Sequence, residues 1–176
     1  MANSPLVSLE KFKLFTVIPT VEATPDYAAG DVLFAPTEIP NFFPSTGASC
    51  ILKSVCIIDK QIVATHAFTL YFTYSSTALG EINATADVSV GTLEEIQATI
   101  PIADGDWIAG GGAGSVDNAN VATITNPAVD GIGSVLQGSN WAASSKSSSI
   151  HIVGIAGETM NVASTSDLII KIGVEY

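Results

Sequence analysis

His66 and His151, Cys50 and Cys56, and a set of serines and acids are the residues from which this chain could build a reactive centre. A serine nucleophile needs a histidine base and an acid to orient it, and usually a strained turn to present the hydroxyl. The Gly-x-Ser-x-Gly elbow is absent, and no spacing draws either histidine toward a serine and an acid. Glu94 and Glu95 are adjacent, so they point to different sides and cannot work across one bond as general acid and base. Asp104, Asp106, Asp117, Asn118 and Asn120 are oxygen donors, but the spacing is not that of a calcium loop and no glutamate closes it. They read as turn formers. The glycine run at Gly110–Gly114 lacks the Gly-Lys-Ser/Thr of a phosphate loop and the third glycine of a dinucleotide fingerprint. The expectation is therefore no catalytic residue, no metal and no cofactor.

The two cysteines share one apolar run. If Cys50 to Cys56 is one regular strand, the sulfurs lie on the same face roughly 20 Å apart, beyond the reach of a disulfide. They read as reduced, hydrophobe-like side chains. Trp107 and Trp141 sit at loop boundaries among Asp, Gly, Ser and Asn, where an indole stacks on a sugar, anchors an interface, or folds back into the core. Phe42 and Phe43, between Pro40 and Pro44, form a second apolar knob that packs under a loop or meets another subunit.

The elements that must position these residues read as strands. Candidates are 11–18, 31–35, 48–58, 65–74, 99–103, 121–125, 132–137, 150–155 and 167–174, separated by clusters of Pro, Gly, Asn, Asp and Ser. Alternation is clearest where Phe68, Leu70 and Phe72 oppose Thr69, Tyr71 and Thr73, and it recurs in Leu168, Ile170 and Ile172. With Val55 and Ile57, these apolar residues are the expected core. Thr92-Leu93-Glu94-Glu95 has capping-box spacing and predicts a turn or two of helix before Pro101. No βαβ alternation and no internal repeat is present. The pattern predicts an all-β fold, an antiparallel two-sheet sandwich of jelly-roll type with at most one or two short helices. Residues 1–24 are expected to be an N-terminal arm and first strand, and residues 25–176 the jelly-roll domain. Two excursions, Gly105–Asn120 and Gly138–Ser149, are loops of the kind that carry recognition.

Composition narrows the function classes. The chain has 176 residues, 17 acids, six lysines, no arginine, and a net charge of −11, while 47% of it is hydrophobic. That charge repels phosphate and anionic lipid, and without arginine there is no bidentate reader of a guanine or phosphate. Neither nucleic acid nor membrane is an expected partner. No run reaches the ~18 apolar residues that cross a bilayer, and Met1–Glu10 lacks the pattern of a secretory signal. So much apolar surface with so little charge points to contacts with neighbouring subunits. An uncharged arm carrying Leu6, Val7 and Leu9 fits that expectation.

The order of several short motifs resembles the small jelly-roll structural proteins of tailed-bacteriophage virions, above all head decoration or cement proteins and related appendages. These motifs are Tyr27-Ala28-Ala29-Gly30-Asp31-Val32, Glu38-Ile39-Pro40-Asn41, Ser54-Val55-Cys56-Ile57-Ile58-Asp59, Leu70-Tyr71-Phe72, Asn83-Ala84-Thr85-Ala86-Asp87, Ile152-Val153-Gly154, and Asp167 through Gly173. The resemblance spans about residues 25 to 174 and rests on order more than on any one motif. It implies a non-enzymatic protein made in the host cytoplasm and carried on the outer capsid surface. Its implied partners are the major capsid protein and copies of itself, as a homotrimer. Leu6, Val7, Leu9, Phe42, Phe43, Trp107 and Trp141 are the expected interface residues. One rival expectation is a carbohydrate-binding jelly roll for host recognition, with Trp107, Trp141 or Tyr74 as stacking platforms; the other is a sandwich-fold hydrolase, which needs two carboxylates converging in a cleft that the sequence does not supply.

Overall fold

The computed structural model describes residues 12–60, 66–109, 119–125, 132–137, 147–162 and 164–176. The first strand, β1 (Phe12–Val17), is followed by β2 (Val32–Ile39), β3 (Ser49–Asp59) and β4 (Phe68–Thr73). One helical turn, α1 (Val90–Leu93), leads into β5 (Ile96–Ile102), and a 3₁₀ turn at Asp104–Asp106 leads into β6 (Trp107–Ala109). The chain closes with β7 (Asn120–Ile124), β8 (Val135–Gln137), β9 (Ile150–Ala156) and β10 (Leu168–Glu175). All pairings between these strands are antiparallel.

Six strands form one sheet in the order β1-β10-β3-β7-β6, with β8 also pairing with β3; four form the other, β2-β9-β4-β5. Without the short β6 and β8, consecutive strands β1/β2, β3/β4 and β9/β10 alternate between the sheets. Eight strands wound in this way are a jelly roll. The expected all-β sandwich is thus the fold. β1 is an integral edge strand of the larger sheet, paired with β10 along its whole length.

Period-2 burial builds the core. Val55, Ile57, Phe68, Leu70, Phe72, Leu168, Ile170 and Ile172 are all buried between the sheets, as their alternation requires. Fully burying one such side chain is worth about 1.5–3 kcal/mol. Gly154 in β9 makes room for Phe34, since a Cβ there would stand 2.5 Å from the Phe34 ring. Tyr27 is also fully buried, and its hydroxyl donates to the Leu33 carbonyl at 3.0 Å while accepting from the Glu22 N–H at 2.6 Å.

Three local features depart from the sequence expectations. β3 carries a bulge at Lys53: Gly173 pairs with Ser54 but Val174 pairs with Leu52. One extra residue reverses the facing of everything beyond it. Cys50 and Leu52 therefore point inward, as do Val55 and Ile57, and Cys56 turns outward. The two thiols do not share a face, although both are free, as the spacing required. The helical turn is capped by Ser89, whose Oγ accepts from the Thr92 N–H at 3.2 Å, three residues before the expected cap. β6 was not among the expected strands, being only three residues long.

Candidate functional site

The outer faces of the two sheets differ. Over the four-stranded sheet the β4–β5 connection folds back as a cover. Leu79 is buried there with Val32 and Val153, and Ala86, Val88, Tyr71 and Ile155 pack around them. Backbone bridges Val32↔Ile82 and Asp31↔Thr85 fasten it, and the buried Asp31 carboxylate accepts from the Ala28 N–H at 2.8 Å. No described segment covers the outer face of the six-stranded sheet in this way.

That uncovered face can be read row by row from the strand register. Ile169, Ile58, Val121 and Ile108 lie side by side across β10, β3, β7 and β6. Ile18, just past the end of β1, extends the row; it is 53% exposed, and Ile108 is 74% exposed. Thr16, Lys171, Cys56 and Thr123 form the next row, and Leu14, Gly173 and Ser54 the third. Phe12, Glu175, Ile51 and Val135 form the fourth, with Phe12 and Val135 more than half exposed. A Cβ on Gly173 would stand 2.7 Å from the Phe12 ring, so glycine lets that ring lie over β10. The first row is apolar throughout and the fourth is apolar apart from Glu175, with the more polar rows between them. Exposed apolar side chains in contiguous rows, rather than scattered singly, mark interaction surfaces.

The edge of the sheet is guarded while its face is open. Lys13, on β1, turns its ammonium to the Asn41 carbonyl at 2.9 Å and lies 4.4 Å from the centre of the Phe15 ring. A lysine on an edge strand discourages pairing by a further strand. The ion pair Lys53–Glu175, 2.8 Å, sits at the bulge on the open face and is half in solvent. It is worth little in energy but fixes the local charge pattern.

The residues singled out for chemistry do not converge. His66 precedes β4 and His151 opposes Thr73 at the other end of that strand, which separates them by roughly 20 Å along the sheet. His151 Nδ1 is buried without a partner; burial holds its imidazole below the ordinary histidine range, against the pull of Glu38 on the paired strand. His66 is buried, its Nε2 unpartnered and its carbonyl accepting from Trp107 Nε1 at 2.9 Å. Asp104 meets Glu158 beside His66. Desolvation, and then the hydrogen bond and like charge of Glu158, raise its carboxyl above the usual range, while His66 acts the other way. Among the described residues no group of three or more His, Cys, Asp or Glu could hold a metal ion. Burial pushes the Cys50 thiol up to about 12.

Among the expected interface residues, Phe42, Phe43 and Trp107 lie in the core. Phe42 stacks on Phe15 with ring centres 4.8 Å apart and meets Phe43 edge-on at 5.1 Å; both are buried beneath the Pro40–Pro44 turn. This corrects the expectation of an interface at Phe42 and Phe43 and leaves the other reading, packing under a loop: two adjacent phenyl rings are better satisfied in one apolar cluster than in water. Trp107 is 8% exposed because pairing of β6 with β7 turns it inward beside Phe68 and turns Ile108 out. It is no stacking platform. Leu6, Val7, Leu9 and Trp141 lie outside the described residues. The residues that sequence reasoning missed are Ile108 and Val135, which are mostly exposed, and Ile58 and Ile169, which are partly buried, all on the face opposite the core-facing positions.

No protein-family model matches the chain, and none of the curated proteins compared with it does.

Proposed function

We propose that this chain works by binding, as a structural subunit of a tailed-phage-type virion that sits on the major capsid protein at the outer capsid surface and associates with copies of itself. The observation that carries this reading is the asymmetry between the two sheets. One apolar outer face has its own cover, fastened by backbone bridges, and the other presents rows of Ile, Val, Leu and Phe to its surroundings. A face of five strands at about 4.8 Å spacing and about eight residues long offers on the order of 600 Å² in projection, the scale of one side of a specific protein interface. The stiff β framework and short side chains of Thr, Ser, Val and Ile lose little freedom when such a face is covered. The motif order resembling decoration proteins supports the virion setting.

The test is recovery of the chain with purified particles. It should sediment with them in a fixed ratio and be imaged on the outer shell. Ile108→Asp, at an exposed position, should leave the fold intact and lower occupancy at least several-fold. A chain absent from particle shells that binds host glycans in isolation would replace this reading with the carbohydrate-binding one.

A further inference from the structure

Positive charge is confined to one of the two sheets among the described residues. The described lysines all lie on strands of the six-stranded sheet or at their ends: Lys13 on β1, Lys53 on β3, Lys60 just after β3 and Lys171 on β10. The four-stranded sheet and its cover carry none, and instead hold Glu38, Glu81, Asp87, Glu94 and Glu95. Lys13 turns away from the open face and lies over Phe15, and Lys53 is paired with Glu175, so the positive charge this face offers a partner comes from Lys171, with Lys60 at its end.

The cover of the four-stranded sheet ends in a knob of complementary make-up. Val90 and Leu93 are 75% and 55% exposed on the single turn of α1, while Thr92 beneath them is buried and the Ser89 cap fixes the turn. Glu94 and Asp87 are exposed beside them, and Glu95 is held by a hydrogen bond from Ser75 Oγ. The knob is apolar at its tip and acidic at its rim. The face is apolar along the Ile169-Ile58-Val121-Ile108 row, with Lys171 in the next row and Lys60 at its end.

We propose that the knob around Val90–Glu95 of one copy docks on the six-stranded face of a second copy, in a head-to-tail self-contact. Val90 and Leu93 settle on the isoleucine–valine row, and Glu94 approaches Lys171 or Lys60. A face-to-face twofold contact with its axis at Lys171 is disfavoured, because it would set that lysine against its own image, and like charges brought together under an apolar contact are costly. Two different patches in contact form a heterologous interface, which closes into a ring or continues as a chain according to the rotation it imposes. The inference rests on the reading of the face as a docking surface and names its occupant.

Sedimentation equilibrium of the full chain over a range of concentrations tests it. Lys171→Glu and Glu94→Lys should each weaken self-association by about tenfold, the consequence of replacing a complementary charge by a like one. The double variant, Lys171→Glu with Glu94→Lys, should recover most of the loss, which no effect on folding alone would produce. Leu93→Ser, at an exposed position, should also weaken association, with unchanged circular dichroism. A wild-type chain that stays monomeric, or single variants that associate as wild type, would overturn the contact. Loss of association on deleting residues 1–10, with Lys171→Glu inert, would also overturn it and make the arm the occupant. Occupancy on particles that survives either outcome leaves the proposed function standing and removes only this self-contact.

Discussion

Cys50 and Cys56 stand on one strand and face opposite sides of it, so each reports on a different environment. Cys50 is buried with its thiol pushed up to about 12, whereas Cys56 lies half-buried in the open face. A thiol reagent applied to the folded protein should therefore label Cys56 and spare Cys50, read by peptide mass spectrometry; equal labelling would contradict the bulge at Lys53. Nothing in the spacing of the cysteines announces that bulge, because an inserted residue leaves the apolar pattern of each half intact and only shifts its phase. His151 gives a second prediction. Its folded-state pKa lies below the unfolded value of about 6.5, so its neutral form is favoured by folding. The stability it contributes is full above that value and declines as pH falls through it. Asp104, raised by its surroundings, works in the opposite sense: the folded state holds its proton more tightly, and stability falls as pH climbs from the carboxylate range near ~4. His151→Gln should flatten the decline of melting temperature below about pH 6.5, and an unchanged slope would remove His151 from the account.

At the scale of elements, the sandwich was legible because period-2 alternation survives in the strands that build the core. Leu70→Ala in β4 should cost about 2–5 kcal/mol in denaturant unfolding, the range for truncating a fully buried leucine. Gly154→Ala in β9 should cost about 1–3 kcal/mol, because the added methyl meets the buried Phe34 ring and forces it aside. A loss under ~0.5 kcal/mol at either site would contradict the packing of Leu70 and Phe34 between the sheets. What resisted reading was set by tertiary pairing. β6 exists because Trp107–Ala109 finds β7, and β2 continues through Pro36 to Ile39 because it pairs with β9. Phe42 and Phe43 looked like a knob because their prolines and Asn41 mark a turn, and a turn does not reveal which way its aromatic residues fold.

For the whole molecule, the mismatch between hydrophobic and charged residues pointed to a covered surface, but composition could not say where. The answer depends on which outer face the β4–β5 connection covers, a matter of long-range topology. Residues such as Ile58, Ile169 and Val121 read equally well as core or as surface until the register of five strands is known. On the proposed function, the open face of the six-stranded sheet is covered when the chain is assembled. Cys56 lies in the second row of that face, so its rate of alkylation in purified particles, compared with the isolated chain at low concentration, reports whether the face is covered. Cys56 should react at least about tenfold more slowly in the particle, the slowing expected when neighbouring contacts exclude solvent from a packed interface. Equal rates in the two states, with the chain demonstrably present on the particle, would contradict it.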